Sequence, residues 1–260
     1  SYALASLRKN DERSSEAGLK YSLYGGISAG LMLFGMSHMF GVLGTIQFNG
    51  MAQNIANLTQ TEILVLIPSF LLFFVGIGYK IACVPFHMWS PDVYEGSPLP
   101  VTAFFSIVPK MAGIAVLLRI TISFFSNDGV MQYSWIGLLQ VIAALTMTVG
   151  NISAINQRSI KRMLAFSSIG HAGFMMLGAI VLGADGVRSV LFYGIGYMFM
   201  TLAAFAITSF IQNKYGNDHF ERFSGLIYRK PMMAIAMTII MFSLAGIPPF
   251  SGFVAKFHIL

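Results

Sequence analysis

Seven long runs of apolar residues govern what this chain can fold into. They cover roughly residues 17–44, 61–85, 99–125, 131–155, 163–183, 187–211 and 231 to the end. Each meets the length of about 20 mostly apolar residues that a helix needs to cross a hydrocarbon core. The runs are continuous, whereas a barrel strand alternates over about ten residues. In lipid a helix satisfies its own backbone groups, so the expected fold is all-α, a polytopic transmembrane helical bundle of about seven spans. Only 10% of the 260 residues are charged and 56% are hydrophobic, against about 25% charged in an average soluble domain. That composition excludes a water-soluble globule and a disordered chain. The single cysteine, Cys83, excludes a disulfide scaffold and an iron–sulfur cluster held by this chain.

The net charge of +6 is distributed as a topology signal. Arg8, Lys9 and Arg13 precede the first run, Arg158, Lys161 and Arg162 follow the fourth, and Lys214, Arg222, Arg229 and Lys230 follow the sixth. Seven spans place these three segments on one side, which the positive-inside rule makes cytoplasmic, or the matrix of a mitochondrion. The segment with Asp92 and Glu95 falls on that same side but adds no basic residue, and the loop after the third run holds only Asp128. No basic patch for nucleic acid remains. The chain opens inside what reads as the tail of an apolar segment, and its last run reaches Leu260 without a polar flank. The expectation is a piece of a longer bundle.

With the loops set aside, three full charges are left at membrane depth: Lys80, Lys110 and Lys256. A lysine at the bilayer centre costs about 2.5–3.5 kcal/mol on insertion scales. Snorkelling accounts for Lys20 and Arg119 near span ends, but not for Lys110, which has about eleven residues of span on either side. Removal from water favours the neutral form of an amine, and a proton path needs groups that gain and lose a proton. His87 and His171 lie in or beside spans and are candidate relays; His38 is a weaker one. Pro85 follows Lys80, and Pro248 and Pro249 precede Lys256. Proline breaks or kinks a helix, and discontinuous helices beside an ion-handling residue are a transporter signature. Breaks are therefore expected between residues 79 and 85 and between 247 and 252. The first two runs start as far apart as the last two, with an odd number of spans between the copies, which fits an inverted repeat. Gly26-Ile-Ser-Ala-Gly30 reads as a helix contact. No metal-ligand spacing, P-loop or dinucleotide fingerprint occurs.

The segment Lys80-Ile-Ala-Cys-Val-Pro-Phe-His-Met-Trp-Ser-Pro-Asp-Val-Tyr-Glu-Gly-Ser-Pro-Leu-Pro-Val-Thr-Ala-Phe104 resembles the subunit N family of proton-pumping NADH–quinone oxidoreductase, called subunit 2 in mitochondrial complex I. Arg13-Ser-Ser-Glu-Ala-Gly-Leu-Lys-Tyr21, Ile160-Lys-Arg-Met-Leu-Ala-Phe-Ser-Ser-Ile-Gly-His171 and Phe242-Ser-Leu-Ala-Gly-Ile-Pro-Pro-Phe250 agree with it in the same order. Subunits L and M and the multi-subunit Na⁺/H⁺ antiporters typically have Leu and Ala where this chain has Ser90 and Val93, and carry a His-rich stretch missing around Lys110. The resemblance implies an antiporter-like module, with residues 1–260 a single transmembrane proton-translocation unit in the cell inner membrane or the mitochondrial inner membrane. It makes Lys80, Lys110, Lys256 and Lys20 the family's central-axis lysines. The family's functional glutamate belongs to a helix before residue 17, so Glu16 is not that residue and Lys80 lacks its partner here. The implied cofactors, FMN, iron–sulfur clusters and quinone, are bound by other subunits and none by this chain. The implied partners are subunit M, the small subunits K and J, and the lipid bilayer. The alternatives are a subunit of a multi-subunit Na⁺/H⁺ antiporter and a structural subunit with a dead channel.

The charge pattern makes a topological prediction. Single cysteines placed in the loops at 158–162 and 214–230 should resist an impermeant thiol reagent applied from outside. Labelling at either loop would reverse the orientation.

Overall fold

The computed structural model describes residues 2–125 and 130–260, and the side chains at 130 and 131 are outside that description. The loop position Asp128 lies outside the described residues. In chain order the helices are α1 (Tyr2–Ala5), α2 (Glu12–Leu43), α3 (Phe48–Ala56), α4 (Gln60–Ile81), α5 (Trp89–Gly96), α6 (Leu99–Phe125), α7 (Val130–Ile155), α8 (Ile160–Ile180), α9 (Ala184–Tyr215), α10 (Leu226–Arg229), α11 (Pro231–Ala245) and α12 (Ser251–Ile259), with a 3₁₀ turn at Phe220–Phe223. Among the described residues there is no sheet, and six helices are long and apolar enough to cross a membrane. The chain is a polytopic helical membrane bundle.

Helix ends follow capping chemistry rather than hydropathy. The Asp11 side chain accepts from the Arg13 N–H, so α2 begins five residues before its apolar run. Thr59 and Glu62 form a reciprocal capping box at the start of α4. Gly216 ends α9 in the left-handed region at φ 82°, where a glycine closes a helix without strain. The seventh run is not one helix: α11 has 15 residues, and five residues separate it from α12. The loop after α2 holds a short helix, α3, that hydropathy does not reveal. Its Phe48 stacks on Phe124 of α6 at 5.3 Å, and the Arg119 guanidinium lies 5.2 Å from the Phe48 ring.

Two similar units emerge. A 32-residue helix, α2, packs on a broken pair, α4 and α5; a second 32-residue helix, α9, packs on a second broken pair, α11 and α12. Helix α8 sits between them. Of its most apolar window 72% is buried, against 22% for α2. The two basic loops meet beneath α8: Phe220 donates to the Arg158 carbonyl at 3.1 Å, and Ile160 to the Asp218 carbonyl at 3.1 Å. The Asp218 carboxylate also takes the Ser159 hydroxyl and the Lys161 N–H, the latter at 3.0 Å, and so reinforces the positive end of α8.

Small residues let helices approach, but not the pair expected. Gly26 and Gly30 are exposed on the outer face of α2, and a Cβ on either would meet nothing within 4 Å. The close approach on α2 is at Gly35, where a Cβ would lie 2.6 Å from the Ser69 carbonyl oxygen and 2.7 Å from the Phe73 nitrogen of α4. Helices α7 and α8 meet at Gly150, where a Cβ would be 2.5 Å from the Gly170 nitrogen and 2.9 Å from its Cα.

Gly150→Ala should therefore cost about 1–3 kcal/mol by forcing two backbones apart, read as a lower thermal midpoint in detergent. Gly30→Ala should be neutral or stabilising, by up to about 1 kcal/mol of helix propensity. Equal effects at the two sites would refute the contact assignment.

Candidate functional site

The first break follows directly on Lys80. Ala82 turns into the left-handed region at φ 58°, and helix α4 stops. Its freed groups are met from three directions. The Trp89 indole donates to the Tyr79 carbonyl at 3.0 Å, the Val84 N–H donates to the Thr146 hydroxyl of α7 at 3.0 Å, and the Cys83 N–H donates to the Gly78 carbonyl at 3.0 Å. Lys80 occupies the last turn of α4, where the helix dipole favours a cation. Its ammonium is faced by three aromatic rings, Tyr2 at 5.6 Å, Tyr21 at 5.8 Å and Tyr79 at 5.6 Å. Aromatic faces attract a cation with about 0.5–2 kcal/mol each, and among the described residues no carboxylate pairs with Lys80.

Lys110 follows Pro109 in the middle of α6 and is 0% exposed. Its ammonium donates to the Ser168 hydroxyl of α8 at 2.7 Å, and that hydroxyl donates to the Ala165 carbonyl at 2.6 Å. The Tyr94 ring stands 5.9 Å away. The Tyr197 hydroxyl of α9 donates to the Ser106 carbonyl of α6 at 3.2 Å, one turn before Lys110. A buried charge normally keeps a counter-ion because desolvation is expensive; here a hydroxyl stands in its place. His87, 8% exposed, lies in the first break.

His171 lies one turn beyond Ser168 on α8. Its Nδ1 contacts the Tyr193 hydroxyl at 2.6 Å. Lys256 of α12 reaches back across the second break. Its ammonium donates to the last two carbonyls of α11, Leu244 and Ala245, at 3.1 Å each, and lies 4.8 Å from the Phe174 ring. His171, Phe174 and Lys256 line one cavity of about 380 Å³. Pro85 lies in the first break and Pro248 and Pro249 in the second. The structure thus sets His171 and Lys256 on one cavity, places Lys110 on Ser168, one turn from His171, and holds Lys80 in an aromatic pocket.

Lys20 belongs elsewhere. Its ammonium lies 2.6 Å from both Asp92 and Glu16, so an ion pair and not snorkelling holds it. Arg162 joins this cluster through Asp92 at 3.2 Å and Glu95 at 2.7 Å, and Arg13 through Glu95 at 3.6 Å. The acidic segment therefore has a function in the topology: it is the counter-charge of two basic segments on its own side. Lys161, read as a loop cation, is in fact 2% exposed. Its ammonium donates to the Glu95 and Ser97 carbonyls at the end of α5, 2.8 Å each. The seven-residue spacing to Ser168 puts both on one face of α8, the signal that could have separated Lys161 from its basic neighbours. Among the described residues no three His, Cys, Asp or Glu side chains gather as a metal site, and Cys83 is buried alone.

A family model described as NADH:quinone oxidoreductase/Mrp antiporter, transmembrane, matches residues 1–260. The chain is 45% identical over 273 residues to NADH-quinone oxidoreductase subunit N 2 of Sorangium cellulosum, covering 100% of this chain and 53% of that protein. The chain thus spans about half the length of the curated relatives it matches. Among solved structures it is similar to a chain of the archaeal membrane-bound sulfane sulfur reductase, a respiratory membrane complex. There the TM-score is 0.88 at 30% identity, covering 99% of this chain and 52% of that one. A chain of respiratory complex I from Thermus thermophilus matches with a TM-score of 0.80 at 33% identity, covering 99% and 54%.

Gly246, at φ 82°, closes α11 directly under the Lys256 side chain, and a Cβ there would lie 2.9 Å from Lys256 Cδ. Gly246→Ala should cost about 1–2 kcal/mol in backbone strain and move the ammonium off the α11 carbonyls. A structure of the variant with Lys256 unmoved and an unchanged melting midpoint would refute this.

Proposed function

This chain belongs to the NADH:quinone oxidoreductase/Mrp antiporter transmembrane family, and from that premise we propose that residues 1–260 form a single proton-translocation module of a subunit N-type protein in an NADH–quinone oxidoreductase. The observation that carries the reading is Lys110. It is fully buried, its ammonium rests on a hydroxyl and not on a carboxylate, and that hydroxyl's serine lies one turn from His171, which lines a cavity with Lys256. A permanently charged lysine would be expected to recruit a counter-ion in such a place. A lysine that alternates between ammonium and amine is served by a hydroxyl, which both accepts from NH₃⁺ and donates to NH₂.

The row then works by charge repulsion. Like charges in a low dielectric repel, so occupation of one site makes occupation of the next costlier. A proton added at one end is felt along the row from Lys80 through Lys110 and His171 to Lys256. Lys20 stands apart in its ion-pair cluster, where opening the Asp92 or Glu16 pair would release its charge toward α5. Electron transfer from NADH to quinone, with FMN and iron–sulfur clusters, belongs to other subunits in this reading, and this chain converts their signal into proton movement. Subunits M, K and J are its proposed neighbours in the inner membrane. The second reading, a subunit of a multi-subunit Na⁺/H⁺ antiporter, draws on the breadth of the matched family. Co-purification with flavin and iron–sulfur subunits would decide for the first.

Lys110→Ala in the full-length subunit should leave the complex assembled and lower NADH-driven proton pumping by roughly a hundredfold or more, the lower range for loss of a proton-transferring group. Lys110→Arg should not restore it, because guanidinium stays protonated. Proteoliposome pumping assays check both; a fully active Arg variant would reduce Lys110 to a fixed positive charge.

A further inference from the structure

Tyr193 is an uncharged residue in an apolar helix, yet its hydroxyl lies 2.6 Å from Nδ1 of a buried histidine. Tyr193 is 2% exposed and His171 5% exposed, so bulk water competes little for either group. Neighbouring rings bracket the pair. Tyr197, one turn along α9, packs its ring 5.0 Å from that of His171. Phe174, one turn along α8, stacks on Tyr193 with a 20° interplanar angle and carries the Lys256 ammonium on its face. His171 lines the cavity it shares with Lys256.

The partner of one imidazole nitrogen sets the role of the other. Imidazolium has N–H on both nitrogens, so Nδ1 must then donate to the phenol oxygen. The same hydrogen bond survives in the neutral ring only if the proton left behind is the one on Nδ1. We propose that Tyr193 is a positioning residue for proton passage between Lys110 and Lys256: its oxygen accepts the Nδ1–H of His171 in both protonation states and leaves Nε2 as the working nitrogen toward the cavity. This rests on the reading of His171 as a proton carrier given above. In each passage cavity water carries a proton from the Lys110 ammonium, which becomes an amine, to Nε2. Water then carries that proton from Nε2 to the neutral Lys256 amine, which becomes an ammonium. The Nδ1–H and Tyr193 O–H bonds are neither made nor broken.

The test is a double-mutant cycle in the full-length subunit within its assembled complex, reconstituted in proteoliposomes. His171→Gln should impair pumping. Tyr193→Phe should lower it roughly three- to tenfold, the factor that one net hydrogen bond supplies, and should add nothing on the His171→Gln background. Normal pumping by Tyr193→Phe beside an impaired His171→Gln overturns the positioning role and leaves the proposed function standing. Normal pumping by His171→Gln overturns both the carrier and its positioning. A Tyr193→Phe loss that persists without His171 means Tyr193 acts by another route and overturns the proposal. Should Tyr193→Phe fail to assemble, the wild-type minus His171→Gln infrared difference spectrum still decides. It should carry the ring modes of an Nδ1–H imidazole, and an Nε2–H signature overturns the proposal.

Discussion

A helix that stops inside a membrane leaves carbonyl groups with no intrahelical partner, and in hydrocarbon there is no water to take them. This chain stops two helices in that way, α4 and α11: Trp89 donates to the Tyr79 carbonyl at the end of α4, and Lys256 to the last carbonyls of α11. Lys161 serves the end of α5 in the same manner near the charged face. The requirement runs both ways. The broken ends need donors, and a lysine brought below the surface needs acceptors and the negative end of a helix dipole. At Lys256 and the end of α11, break and lysine are one feature.

Helix α8 makes the two broken units communicate. Its first turn grips α5 from two sides, Lys161 on the backbone and Arg162 on the carboxylates of Asp92 and Glu95. Two turns on, Ser168 holds Lys110 of α6. One more turn brings His171 against α9 and the cavity that Lys256 shares. A small shift of α5 would therefore be felt at Arg162 and Lys161, and through a buried, close-packed helix at the groups around Lys110. Close packing transmits displacement because interiors compress little.

The charged face and the buried row obey different electrostatics. At the face, Arg13, Lys20, Arg162, Glu16, Asp92 and Glu95 are partly exposed and lie in ion pairs; such pairs are individually worth little but set register. Inside, Lys80, Lys110 and Lys256 meet rings, a hydroxyl and carbonyls. Among the described residues none of the three meets a carboxylate.

How much of this is legible in the amino acids alone follows the range of each interaction. Span number, helical class and the buried status of Lys110 are local properties, because 20 apolar residues and a lone charge carry their meaning wherever they pack. Both breaks are legible for the same reason, since proline and glycine act on their own backbone. Span ends shift because the caps Asp11 and Thr59 are polar residues that belong to helices by hydrogen bonding, not hydropathy. Only tertiary structure decides which face of a helix meets which neighbour. It turns Gly26 and Gly30 outward while Gly35 and Gly150 carry the contacts, draws Lys161 out of a basic run into the interior, and sets Tyr193 against His171. A side chain's own chemistry says what it can bond. Helix rotation and crossing, summed over partners distant in the chain, determine what it does bond.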